Sequence, residues 1–241
     1  MSSKIAVPDE LDNLPPAMAL QNLLIMLLAV AVGAFAAAVV LPNWLPGLSI
    51  SLLGDAPKAY WYLSRMSAMT AFVLLWLSMA FGLMITNKLA RMWPGGPTAF
   101  DLHQYTSLLG LAFGLFHGLI LMGDKYINFT LAQIIIPFNS VNYKPIWVGV
   151  GQIGFYLMLI VAFSFYVRKR MGHTAWRLVH YLSFVAFALS LLHGILSGTD
   201  TSATWALGIY WAAGVSLLFL TVYRILASIF KPKKQATAHR T

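Results

Sequence analysis

The sequence predicts an all-α integral membrane protein, a bundle of six helices with both termini on the cytoplasmic side. Three observations carry this reading. Of 241 residues, 59% are hydrophobic and only 10% charged, with a mean hydropathy of +0.75, a balance that suits a bilayer rather than water. Six stretches each supply the roughly 20 mostly apolar residues that a spanning helix needs. Lysine and arginine are distributed unevenly around those stretches, as the positive-inside rule requires.

Residues 1–17 form an acidic, proline-containing leader (Pro8, Asp9, Glu10, Asp12, Pro15, Pro16). The first span, 18–41, is longer than the apolar core of a signal peptide and is expected to be a retained helix. The run Ala34 to Ala38 imitates a cleavage site, and processing there would leave five helices. The second span is 59–86, and the third, 103–123, follows a loop holding Pro97 and Asp101. The fourth, 146–168, ends in Arg168-Lys169-Arg170; the fifth is 176–197; the sixth, 203–229, leads into a basic tail, 231–241. Residues 18–230 therefore read as one transmembrane domain, with no room for a second globular one.

The longest connection, Gly123 to Pro145, contains the apolar run Leu131 to Phe138, too short to span. It is expected to lie at the interface as an anchor, or to cap the outer end of the bundle as a lid. Asn128-Phe129-Thr130 matches a glycosylation sequon only at the level of chance.

With the N-terminus inside, the cytoplasmic flanks hold twelve cations: Lys4, Lys88, Arg91, Arg168, Lys169, Arg170, Arg177, Arg224, Lys231, Lys233, Lys234 and Arg240. The outer flanks hold four, Lys58, Arg65, Lys125 and Lys144. This bias explains the net charge of +9 as a topology signal and a set of contacts to anionic lipid, with no nucleic acid implied. The expected location is the plasma or inner membrane.

Cysteine is absent. That excludes disulfides, thiolate metal sites, iron–sulfur clusters and covalently attached c-type haem. A redox centre in this chain would be a non-covalently held haem with histidine or methionine ligands. Four histidines lie within the spans: His103 and His117 on the third, fourteen residues apart, and His180 and His193 on the fifth, thirteen apart. The charge bias makes these two helices parallel, so His103 and His180 lie near the cytoplasmic ends and His117 and His193 deeper toward the outer face. The expected axial pairs are His103 with His180 for an inner haem iron, and His117 with His193 for an outer one. Ionisable groups at this depth are costly and point to function; interhelical hydrogen bonding or another metal is the alternative. His173, in a cytoplasmic loop, and His239, in the tail, are expected to be solvated.

A spacing of fourteen returns to within about 40° of the same face of a helix and advances about 21 Å. A spacing of thirteen ends about 140° away, which predicts a tilt, a rotation or a π-type irregularity between His180 and His193, caused by packing or by back-bonding from Ser183 or Ser190. Gly110 lies midway on the histidine stripe of the third span, where a missing side chain admits a macrocycle or a neighbouring helix. It also belongs to the small-residue series Gly110, Gly114, Gly118, which by itself signals helix packing. Ala186 and Phe187 hold the corresponding midpoint of the fifth span.

The segments Asp101-Leu102-His103-Gln104-Tyr105, Phe116-His117-Gly118, Trp176-Arg177-Leu178-Val179-His180-Tyr181 and Leu192-His193-Gly194 resemble the ferric reductase-like transmembrane domain superfamily. That superfamily includes ferric reductases, NADPH oxidases and the haem-binding membrane subunit of a bacterial methionine sulfoxide reductase system. The likeness covers roughly residues 59 to 230. It implies two b-type haems on the third and fifth helices of six, and electron transfer from a cytoplasmic donor to an acceptor at the outer face. It also implies an arginine beside the outer haem, a place that Arg65 matches. A positive charge among apolar and aromatic residues needs a counter-ion, and a haem propionate would provide one; the alternative is snorkelling to the headgroups. Lys88, Arg91 and Arg177 could serve the inner propionates, although topology already accounts for them.

The sequence departs from the oxidases and ferric reductases in carrying no nucleotide fingerprint in a strand-to-helix context: its G-x-G-x-x-G pattern, Gly149 to Gly154, lies inside the fourth apolar span. Electrons are expected from a separate reductase, from a loosely bound flavin, or from quinol in the membrane. The outer-face acceptor would be ferric iron, oxygen or a redox protein. Two rival classes stand beside this reading as an oxidoreductase component: a haem-bearing anchor or relay subunit for a separate catalytic protein, and a redox-inactive transporter or channel with histidines as proton or metal sites.

Overall fold

The computed structural model describes residues 15–45, 59–124 and 126–230. Most of the leader, the basic tail with His239, and Lys58 and Lys125 lie outside the described residues. Six long helices account for most of the rest: α1 Leu20–Trp44, α2 Ala59–Thr86, α3 Gly96–Ile120, α4 Pro145–Met171, α5 His173–Ser197 and α6 Thr204–Ile229. All six are long and apolar enough to cross a membrane, and there is no strand among the described residues.

Glycine and proline set the helix boundaries. Gly95, with φ of 105°, turns the chain into α3, and Pro97 sits in its first turn, so α3 begins ahead of its apolar stretch. Pro145 likewise opens α4. The last turn of α4 carries Arg168, Lys169 and Arg170, cations that suit the negative end of a helix. Gly172, with φ of 79°, then reverses the chain alone, and α5 starts at the next residue. His173, expected in a loop, is therefore the exposed first residue of α5, because a single glycine makes the whole turn.

The helices associate as two close antiparallel pairs, α2 with α3 and α4 with α5; α1 lies on α3, and α6 on α2. In lipid this cannot be driven by hydrophobicity, so small residues and polar contacts decide which faces meet. Along the α2–α6 seam, Phe72, Leu75, Met79 and Leu83 meet Ala206, Tyr210, Ala213 and Leu217. Trp76 Nε1 donates to Ser216 Oγ at 2.8 Å, Asn87 Nδ2 to the Leu220 carbonyl at 3.1 Å, and Arg224 to the Thr86 carbonyl at 2.8 Å. The fully buried Tyr60 ties α2 to α1 by donating to the Ala37 carbonyl at 2.7 Å. Its ring lies so close to Gly123 that a Cβ there would stand 2.5 Å away.

The connection before α4 is folded rather than loose. Its single-turn helix, Leu131–Ile135, is closed by a capping box between Thr130 and Gln133. Gln152 of α4 donates to the carbonyls of Gln133 and Ile134 at 2.7 Å each, and Tyr156 donates to the Ile135 carbonyl. Further on, Tyr143 donates to the Ser197 carbonyl at 2.5 Å and Lys144 to the Leu196 carbonyl at 2.9 Å, fastening the connection to the end of α5.

Of the departures expected of the fifth helix, the π-type irregularity is not seen: α5 is continuous from His173 to Ser197, with Ser190 back-bonded to the Ala186 carbonyl at 2.8 Å. A back-bonded hydroxyl is absorbed by a regular helix here, and the two histidines leave α5 in different directions.

Candidate functional site

The bundle places α3 and α5 in different close pairs, yet their histidines meet. His103 faces His180 with ring centroids 6.0 Å apart and 69° between planes. His117 faces His193 at the same 6.0 Å, with 66° between planes. About 20 Å of helical rise separates the two pairs. A metal ion about 2 Å from a nitrogen of each imidazole would hold two ring centres roughly 6 Å apart.

Three of the four rings are oriented by backbone carbonyls on neighbouring helices. His103 Nδ1 donates to the Ser78 carbonyl at 2.8 Å, His117 Nδ1 to the Ser64 carbonyl at 2.9 Å, and His193 Nδ1 to the Trp147 carbonyl at 2.8 Å. A carbonyl only accepts, so the proton sits on Nδ1 and Nε2 keeps its lone pair. This is the arrangement of a metal-ligating histidine whose other nitrogen is held by the protein. His180 is the exception: the ring of Trp176 packs on it, centroids 5.2 Å apart and planes 33° from parallel.

Two glycines make room for these rings. A Cβ at Gly82 would stand 3.3 Å from the His103 ring, and one at Gly151 only 2.5 Å from Cγ and Nδ1 of His193. Gly151 resolves the thirteen-residue spacing. On a regular helix His193 leaves α5 about 140° from His180, toward α4, and a residue without a side chain lets the imidazole lie on that helix under the Trp147 carbonyl. Gly110 allows a third close approach, with the Ala71 carbonyl 3.5 Å from where its Cβ would be. Its neighbour is α2, so the helix-packing reading of that glycine is the one seen.

Among the described residues no three His, Cys, Asp or Glu side chains gather as a metal cage. Each pair offers two imidazoles, with no His, Cys, Asp or Glu among the described residues to make a third ligand. The family model described as the ferric reductase like transmembrane component matches residues 67–191, just over half of the chain. The chain belongs to that family. No curated protein and no solved structure matches it. Family membership makes this ferric reductase-like chain a multi-pass membrane protein with a redox, electron-transfer role. The matched segment contains His103, His117 and His180 and ends two residues before His193.

Arg65 lies one residue from Ser64, which holds His117, and the structure supplies its counter-ion from the protein. Its Nε donates to Asp200 Oδ2 at 2.7 Å, and its Nη2 donates to Oδ1. The guanidinium also lies over the Tyr62 ring, 5.2 Å from its centroid. The Asp200 carboxylate comes from the α5–α6 turn, 135 residues away, a separation that no local pattern reveals. Burial pushes the Tyr143 phenol up from its ordinary pKa and the nearby Arg65 guanidinium opposes this; the protonated phenol donates to Ser197. Asp200→Asn is expected to cost about 1–2 kcal/mol of stability by breaking a charge-assisted, partly buried pair, measured by denaturation in detergent. An unchanged midpoint would show that the pair contributes nothing.

Sequence reasoning missed Ser64, Ser78, Gly82, Gly151 and Asp200. Ser64 and Ser78 carried a usable signal, since they are fourteen residues apart on α2, the same spacing as His103 and His117 on α3.

Proposed function

We propose that the chain conducts electrons across the bilayer by holding two b-type haems, one between His103 and His180 and one between His117 and His193. One observation carries this reading: two stacked pairs of facing imidazoles, three with Nδ1 committed to a carbonyl, and no third His, Cys, Asp or Glu at either pair among the described residues. A site with only two imidazoles suits a group that brings the remaining ligands itself, as a porphyrin does. When bound, each haem supplies an iron that takes up and gives up one electron.

The protein's part is to bind, orient and insulate. The carbonyls of Ser64, Ser78 and Trp147 fix three tautomers; Gly82 and Gly151 admit two rings; the apolar helices exclude water. The cations Arg91, Arg168, Lys169, Arg170 and Arg177 cluster at the His103–His180 end, which supports a cytoplasmic placement for that end. Its donor would be a separate reductase, a flavin or membrane quinol. The opposite end, with Arg65, Asp200 and Tyr143, would face an acceptor such as ferric iron, oxygen or a redox protein. The membrane would be the plasma or inner membrane.

The test is a haem-to-protein ratio combined with a redox titration of purified protein. Two reducible b-type haems per chain are expected. Protein without reducible b-type absorbance overturns the redox reading, and one haem per chain overturns the two-centre arrangement.

A further inference from the structure

Hydroxyl groups on the helices bond in more than one way. Ser67, Thr70, Thr86, Ser164, Ser190 and Ser228 each donate to a carbonyl three or four residues back in their own helix, the ordinary way for a hydroxyl to satisfy itself in an apolar helix. Ser64 and Ser78 do otherwise. Both lie on α2, are only 2% and 3% exposed, and reach across to α3. Ser64 Oγ lies 2.8 Å from His117 Nδ1 and donates to the His117 carbonyl at 3.0 Å. Ser78 Oγ lies 3.1 Å from His103 Nδ1, 3.3 Å from the His103 carbonyl and 2.5 Å from Ser107 Oγ. The same two serines present their backbone carbonyls to the same two imidazoles.

The helix register produces this doubling. Stepping seven residues along the antiparallel α2 and α3 passes from Ser64 beside His117, through Ala71 beside Gly110, to Ser78 beside His103. A seven-residue repeat keeps one seam facing its partner over four turns, so the clamp at one histidine recurs at the other.

We propose that Ser64 and Ser78 are positioning residues for His117 and His103, each holding the Nδ1–H edge of its imidazole between a hydroxyl and a carbonyl. The clamp fixes ring rotation and tautomer and raises the basicity of Nε2. This rests on the haem reading above. The four imidazoles then form a graded series. His103 and His117 have a carbonyl and a hydroxyl, His193 has a carbonyl, and His180 has neither but carries the Trp176 ring. Removing a hydroxyl withdraws electron donation from the iron bound to that one histidine. The reduction potential of that centre rises and the other stays where it was.

The experiment compares full-length Ser64→Ala, Ser64→Cys, Ser78→Ala and Ser78→Cys with the unaltered chain by haem ratio, redox titration and electron paramagnetic resonance of the ferric haems. Cysteine keeps the side chain close in size but is a weak donor and acceptor, so it separates hydrogen bonding from packing. Both Ser64 variants are expected to raise the potential and alter the signal of the His117–His193 centre alone, and both Ser78 variants those of the His103–His180 centre alone. Should an alanine variant fail to fold, its cysteine counterpart decides. Variants with unchanged potentials and signals overturn the proposal, as does a cysteine variant indistinguishable from the unaltered chain. An unaltered chain that binds no haem overturns the haem reading instead.

Discussion

His117→Ala and His193→Ala are each expected to remove the same half of the b-type absorbance, and the double variant is expected to remove no more than either alone. The two residues belong to different helices and are 76 positions apart, yet their rings face each other at 6.0 Å. On the two-haem proposal, loss of one of these imidazoles would leave a single one to hold the group. The opposite pair, about 20 Å of helical rise away, keeps its own contacts to Ser78 and should titrate as before. His103→Ala and His180→Ala are expected to act as the complementary set. Reduced-minus-oxidised spectra with a pyridine haem assay check this. Distinct spectral losses from His117→Ala and His193→Ala would show that these two histidines do not share a centre.

Gly151→Ala is expected to disable the same centre without touching a histidine. A methyl group there would stand 2.5 Å from Cγ and Nδ1 of His193 and 2.8 Å from Cε1, closer than real carbon atoms approach. The ring cannot yield without leaving the Trp147 carbonyl, which it meets at 2.8 Å. Overpacking of this kind costs about 1–3 kcal/mol. Here the movement falls on the side chain that carries the site, so the loss should appear as haem content rather than only as stability. Gly82→Ala provides the graded comparison, since its methyl would stand 3.3 Å from the His103 ring, a distance that small adjustments relieve. Haem ratios near one for Gly151→Ala and near two for Gly82→Ala are the expected results. A ratio of two for Gly151→Ala would refute the role given to that glycine.

Much of the architecture was legible because a bilayer leaves few options. Backbone groups in lipid must be satisfied within each segment, so apolar length alone locates the spans. The second span, read as 59–86, is α2 residue for residue. Boundaries were less legible where Gly95, Pro97 and Gly172 act. These residues extend or join helices through backbone conformation, which hydropathy does not register. The π-type irregularity among the departures expected of α5 is not needed for a related reason: periodicity describes where a side chain leaves its own helix, not what the neighbouring helix offers to receive it.

The sequence by itself determined six spans, the absence of thiolate chemistry, and four intramembrane histidines at matched depths on two helices. These are properties of composition and of rise along an axis, and they survive without knowledge of neighbours. Only the tertiary structure decided what each histidine rests on and what pairs with Arg65. Ser64 and Ser78 reach their imidazoles across the α2–α3 seam, Trp147 and Gly151 receive His193 from α4, and Asp200 meets Arg65 from the α5–α6 turn. Those partners come together through helix register and close approach. These depend on how two surfaces interlock, and neither surface alone encodes the fit.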